Sequence, residues 1–217
     1  VISSVKFLNI KKNPEGWTVD FSDNITINAK ILIDGTELGD VAAKVGVKYD
    51  VGMESKATYN EKIAPGKANN IVQDLTYVAV LKEYNRDVTI SKPINYKKED
   101  FICACEKLCP DKKMERLWDC DKMITYGQIQ NGKFMINWPI NGNDFYANMV
   151  EMNEVQRQEA IKKAKEHTLG FVYFMQTELG WKTLGLSDEF QTEDKLPLIP
   201  YHRESRRIHG LARPNMN

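Results

Sequence analysis

Between residues 25 and 33, Ile25, Ile27, Ala29, Ile31 and Ile33 alternate with Thr26, Asn28, Lys30 and Leu32. This period of two predicts a strand with one apolar face, and Leu32 on the polar side predicts burial of both faces at its end. Two shorter β patterns precede it, at 5–10 and 17–21. Asn13-Pro14-Glu15-Gly16 and Ser22-Asp23-Asn24 separate the runs as turns, so the first 40 residues read as a β-meander. A short helical stretch at 41–45 follows, ended by Gly46. Residues 47–70 are polar and turn-rich, 71–81 form a β-branched strand candidate, and Pro93 breaks a polar stretch over 84–100. Asn131-Gly132 sits between two β-like runs, the strongest short-range hairpin signal because both turn positions need positive φ.

The clearest helix covers 154–179. Asn153 and Gln156 have the spacing of a capping box, and Gly180 stands where a helix ends in the left-handed region. Val155, Ile161, Ala164, Thr168, Val172, Met175 and Leu179 mark one inward stripe, and 169–175 is apolar nearly all round. At 1.5 Å per residue the helix is roughly 40 Å long. The four tryptophans, Trp17, Trp118, Trp138 and Trp181, read as core. The fold class is therefore mixed α+β, with antiparallel strands packed on one long helix.

Composition narrows the function. Thirty basic and thirty acidic residues give zero formal net charge, which predicts no nucleic-acid partner and no polybasic membrane anchor. No apolar run reaches the roughly 20 residues of a membrane span. There is no HExxH, no GxSxG and no GxGxxG. The chain starts at Val1 rather than Met and stops on Pro214-Asn215-Met216-Asn217, so both ends read as cut.

The segment Asp34-Gly35-Thr36-Glu37-Leu38-Gly39-Asp40 follows an apolar strand and leads into a short helix, a geometry that brings backbone N–H groups to a ligand, although an ordinary strand-to-helix loop reads the same way. Together with Gly46–Ser55, Asn69–Gln73 and the block Pro200-Tyr201-His202-Arg203-Glu204-Ser205-Arg206-Arg207-Ile208, it resembles the bacterial FAD-dependent oxidoreductase family of glutathione-reductase-superfamily flavoproteins. The last block is the most specific of these. The resemblance implies FAD as cofactor, with Gly35, Thr36, Gly39 and Asp40 near it. It also implies residues 1–46 as the meander and Gly-Asp turn of an FAD-binding domain, 47–200 as a substrate-type domain, and 201–217 as a return segment. Because that family opens with a GxGxxG loop, the resemblance makes this chain an internal fragment, inactive and without bound FAD by itself, of an enzyme that moves hydride from a small-molecule substrate to flavin. Its compartment reads as bacterial cytoplasm or periplasm. The meander's apolar face, normally packed on a Rossmann sheet, is expected to pair two copies as a homodimer.

Arg203, Arg206 and Arg207 with Glu204 could grip an anionic substrate or the FAD phosphates, and Tyr201, His202 and Arg203 are the candidates for catalysis. A salt-bridged surface turn is the competing reading. Cys103, Cys105, Cys109 and Cys120 are the chain's only cysteines. They could hold a structural zinc, pair as disulfides, or remain thiols. The rival account of the whole is a non-catalytic, metal-stapled binding module.

Overall fold

The computed structural model describes residues 2, 4–114 and 117–212. The chain divides into two compact units, one of Val1–Val72 with Glu204–Asn217 and one of Gln73–Arg203.

The first unit opens with the expected meander, β1 (Phe7–Asn13), β2 (Gly16–Phe21) and β3 (Thr26–Ala29), in antiparallel order β1-β2-β3. Gly16 lies at φ +144°, and a Cβ there would stand 2.2 Å from the Ala29 carbonyl oxygen, so only glycine fits this turn. Short polar side chains bridge the strands, Thr18 Oγ1 donating to Asn28 Oδ1 at 2.7 Å and Thr26 Oγ1 to Asp20 Oδ1 at 2.9 Å. The third strand is shorter than its alternation predicts. It ends at Ala29, and Ile31 and Ile33 are 78% and 85% exposed. Periodicity sets which face a side chain takes, but not whether a neighbouring strand continues far enough to pair. Then come α1 (Asp40–Lys44), β4 (Tyr49–Asp50) and α2 (Lys56–Tyr59).

The second unit holds β5 (Leu75–Thr76), β6 (Ala79–Glu83), α3 (Cys120–Thr125), β7 (Gln128–Ile129), β8 (Lys133–Ile136), β9 (Asp144–Phe145), α4 (Glu154–Thr177) and β10 (Leu184–Leu186). Its main sheet is antiparallel in the order β10-β6-β8-β7, and β5 pairs with β9. The β7–β8 hairpin turns through Asn131 at φ +63° and Gly132 at φ +64°. The strand expected at 71–81 is instead two short ones, β5 paired with β9 and β6 set between β10 and β8. The chain then returns to the first unit as β11 (Arg207–Ile208), antiparallel to β4.

Helix α4 begins as its sequence predicts. Asn153 Oδ1 accepts from the Gln156 backbone at 2.9 Å, and Gln156 Oε1 accepts from the Asn153 backbone at 3.0 Å. Its second half is buried through Phe171, Val172, Phe174 and Met175, whereas Val155 in the first turn is 79% exposed. Phe101 packs where Gly170 leaves room, and a Cβ on that glycine would come within 3.3 Å of the ring. The core joins this helix to Leu75, Tyr77, Leu81, Ile136 and Trp138. Of the four tryptophans only Trp138 is buried, the others being half-exposed.

Polar side chains stitch the core where the sheet leaves backbone groups unpaired. Asn143 Oδ1 accepts from the Trp138 backbone at 2.8 Å, and its amide donates to the Tyr77 and Ile136 carbonyls, each at 2.9 Å. Gln176 donates to the Leu184 carbonyl at 2.8 Å and accepts from Ile90 at 3.0 Å. These backbone groups thereby find partners that the short strands do not supply.

The cysteines correct the zinc expectation. Cys103 pairs with Cys109 and Cys105 with Cys120, so no free cysteine remains. A zinc ligand must be a thiolate, and a disulfide sulfur carries no such charge. Among the described residues no group of His, Cys, Asp and Glu could hold a metal ion. The two interlaced bridges instead do the anchoring that a metal was expected to do. No helix is long and apolar enough to cross a membrane among the described residues.

Candidate functional site

The Gly-Asp turn is organised by a residue that pattern reading passed over, Asp34. One carboxylate oxygen accepts from the Thr36 backbone at 2.9 Å and the Thr36 hydroxyl at 2.7 Å, and the other accepts from the Ala42 backbone at 2.8 Å. Thr36 Oγ1 in turn accepts from the Asp40 backbone at 2.8 Å. Gly39, at φ +68°, caps α1 without a side chain of its own, and Asp34 supplies the missing acceptor from outside the helix. The available signal was an Asp followed by Gly-Thr, an Asx-turn sequence. Partial burial works to raise the Asp34 pKa. The Thr36 hydroxyl and the Thr36 and Ala42 amides outweigh it and hold the group below its ordinary value of 3.8.

This turn gives a prediction. Asp34→Ala is expected to cost about 1–2 kcal/mol at neutral pH, the usual size of a lost cap. A depressed folded pKa means the contribution is present above the unfolded value and disappears as pH falls through the folded one. Urea melts of both proteins at neutral pH should therefore differ, and the gap should narrow below the ordinary Asp value and close as pH falls through the lower folded one. A gap of equal size at both ends would show that the carboxylate charge is irrelevant.

The return block meets this turn. Arg206 has only 6% of its side chain exposed, and its Nη1 donates to the Leu38 carbonyl at 2.7 Å and to Asp40 Oδ1 at 2.8 Å. Its guanidinium also lies 5.1 Å from the centre of the Tyr49 ring. Arg207 binds Glu204 at 2.5 Å, Glu54 at 3.0 Å and the Gly52 carbonyl, and His209 Nε2 stands 3.1 Å from Asp50 Oδ2. Glu54, Tyr59, Glu61 and Arg207 line a cleft of about 380 Å³ beside β11. Asp40, Gly39 and Arg206, more than 160 positions apart in sequence, thus form one cluster.

The chain matches the family described as FAD dependent oxidoreductase over residues 2–214. It belongs to that family. No curated protein and no solved structure matched it.

Membership in the FAD dependent oxidoreductases raises the question of what these residues can hold. Gly35 has open space around its Cβ position, and Gly35, Thr36 and Glu37 are exposed, so a ligand can approach the backbone of the turn closely. Asp40 keeps a third of its side chain exposed while Arg206 fixes it from behind. A fixed, partly open carboxylate beside bare backbone suits the hydroxyl-bearing stretch of a flavin dinucleotide. It does not suit the diphosphate, because Arg206 is buried and already bonded. The donor set therefore fits part of the cofactor.

The remaining candidates of this oxidoreductase lie in the second unit. Tyr201 is 52% exposed while its backbone exchanges hydrogen bonds with Thr76 at 2.8 and 3.0 Å. His202, the next residue, is half-buried. Arg203 donates from Nη1 to the Asp74 carbonyl at 2.8 Å and Thr76 Oγ1 at 2.7 Å, and from Nη2 to Asn137 Oδ1 at 2.8 Å and Asp144 Oδ1 at 3.0 Å. Its guanidinium also sits 5.1 Å from the Tyr201 ring centre. Burial and the neighbouring Asp144 carboxylate raise the Asp74 pKa, and Arg203 opposes them. Thr76, Asn137 and Asp144 went unnoticed because nothing in their spacing marks them. The three arginines of one short block therefore serve different ends, Arg203 in one unit and Arg206 and Arg207 in the other.

Proposed function

We propose that this chain works as part of a flavoenzyme that oxidises a small-molecule substrate by passing hydride to FAD. The observation that carries the reading is the Asp40–Arg206 pair, which joins two of the stretches that resemble the family, the Gly-Asp turn and the Ser-Arg-Arg block. FAD, when bound, supplies a two-electron acceptor for the hydride. The protein's part is to hold and orient. Asp40, set by Arg206, accepts hydroxyl hydrogen bonds, and the Gly35–Thr36 backbone lies against the ligand. In the same reading the cleft lined by Glu54, Tyr59, Glu61 and Arg207 is open to a small molecule, and Tyr201, in the other unit, is a separate candidate for substrate contact. Arg203 positions Tyr201 rather than touching substrate, since its four terminal N–H groups have protein acceptors. A diphosphate loop is not among these 217 residues, so the chain by itself is expected to bind FAD weakly and to be inactive.

The test is flavin content. The protein purified from its native source should carry FAD by absorbance. In it, Asp40→Asn should weaken FAD binding roughly tenfold, the size of one lost charge-assisted hydrogen bond. Absence of flavin from the native protein, even after incubation with FAD, would sink the reading. The size and composition of the species at high concentration would separately test whether the exposed meander face pairs two copies.

A further inference from the structure

A second cleft, of about 560 Å³, opens beside α4 in the unit of Gln73–Arg203, within the size range of small-molecule sites. His167 lies at it, with its ring 4.9 Å from that of Phe101 and 5.7 Å from that of Phe145, and Nε2 2.9 Å from the Gly142 carbonyl oxygen. Burial pushes its pKa down, against the Gly142 carbonyl and the Asp100 and Asp144 carboxylates, and because a carbonyl oxygen accepts, Nε2 is the donor to Gly142. The imidazole is thus held in place by the Gly142 carbonyl and the Phe101 and Phe145 rings.

The charges around it come in opposite pairs. Lys97 precedes and Asp100 ends a single 3₁₀ turn (Lys98–Asp100), both are exposed, and neither makes an ion pair among the described residues. Lys163 and Glu166 face the same cleft from α4. Lys163 stands 3.4 Å from Glu159, and Glu166 accepts from the Asn95 amide at 2.8 Å. Two ammonium groups, two carboxylates and the aromatic surfaces of Tyr96 and Phe145 leave the cleft with no net charge. A ligand of one sign meets as much repulsion as attraction there. A molecule carrying both signs on an apolar body finds a partner for each part, and its cation can also rest on a ring face.

We infer that this cleft binds a small zwitterion of the free α-amino-acid class with an apolar side chain. Its carboxylate goes to Lys97 and Lys163, its ammonium to Asp100 and Glu166, and its hydrocarbon body to Tyr96 and Phe145. The inference is independent of the flavin reading, because every residue it uses lies outside the Gly-Asp turn and the return block.

The experiment is an NMR titration with L-leucine, following the ring protons of the three histidines. The His167 signal should move saturably at millimolar ligand while those of His202 and His209 stay still. Isoamylamine and 4-methylpentanoate, which keep the body but one charge each, should bind roughly tenfold more weakly, a loss of about 1.4 kcal/mol. Lys97→Gln and Asp100→Asn each replace an exposed side chain, so the fold survives, and each should weaken L-leucine to the level of the single-charge analogues. A still His167 signal would overturn the inference. So would analogues that match L-leucine, or a Lys97→Gln/Asp100→Asn double variant that binds as tightly as the unchanged protein.

Discussion

Arg203→Ala is expected to destabilise the protein by about 3–5 kcal/mol, the cost of stripping one partner from a buried ion pair. The Asp144 side chain is 8% exposed and that of Arg203 19%, so neither can turn to solvent when the other is lost. Thr76 Oγ1 also donates to Asp144, and this bond cannot replace a full positive charge. The Asp74 carbonyl and Asn137 would lose donors as well. Urea denaturation of Arg203→Ala, Asp144→Ala and the double variant checks the argument. The double variant should lose far less than the sum of the singles, because removing both charges leaves no uncompensated buried charge. Arg203→Lys should recover little, since one ammonium cannot reach four acceptors arranged for a planar fork. A loss below about 1 kcal/mol for Arg203→Ala would place the pair with ordinary surface salt bridges.

That prediction also marks the limit of what the sequence displays. Arg203 and Arg206 stand three positions apart in a run of charge, and their spacing carries no hint that one closes the second unit while the other locks the Gly-Asp turn of the first. The features that could be read were those set by neighbours in the chain. Asn131-Gly132 demanded positive φ twice and has it. Asn153 and Gln156 exchange the hydrogen bonds their spacing predicts. What could not be read depends on partners distant in sequence. Ile31 and Ile33 continue a perfect alternation, yet β3 stops before them. Val155 fits the helical stripe, yet it is exposed in the first turn of α4. Asn143, Thr168 and Gln176 are fully buried because short strands leave carbonyls to satisfy, and no polar-residue pattern announces that duty. At the candidate site, Gly39, Asp40 and Arg206 were visible through resemblance. Asp34, which holds the turn together, acts through hydrogen bonds to its own neighbourhood and matches no motif.

The cysteine cluster shows the same division, and it leads to the second large effect. Four cysteines within 18 positions leave a zinc site, disulfides and free thiols all open, and no pairing can be deduced from spacing. The structure interlaces them, one bridge spanning 6 positions and the other 15. Loop-closure entropy makes the longer bridge worth about 3 kcal/mol and the shorter roughly 2 kcal/mol. Among the described residues the segment is also held by the Glu106 backbone donating to the Trp118 carbonyl at 2.8 Å and by Lys107 Nζ donating to the Leu179 carbonyl at 3.0 Å. Cys105 and Cys109 are buried, and the Trp138 indole reaches across to the Ala104 carbonyl at 2.8 Å. Trp118, which immediately precedes Asp119 and Cys120, packs edge-on against Trp138 at 5.2 Å. Opening the 105–120 bridge therefore frees the loop and loosens the one fully buried tryptophan along with it. Cys105→Ser/Cys120→Ser should lower the melting temperature more than Cys103→Ser/Cys109→Ser does, and only the former should red-shift the tryptophan fluorescence of the folded protein. Dithiothreitol should reproduce the combined loss, whereas a strong zinc chelator should change nothing. A protein that melts early with the chelator, and that titrates four thiols before any reductant is added, would restore the metal and remove the disulfides from the account.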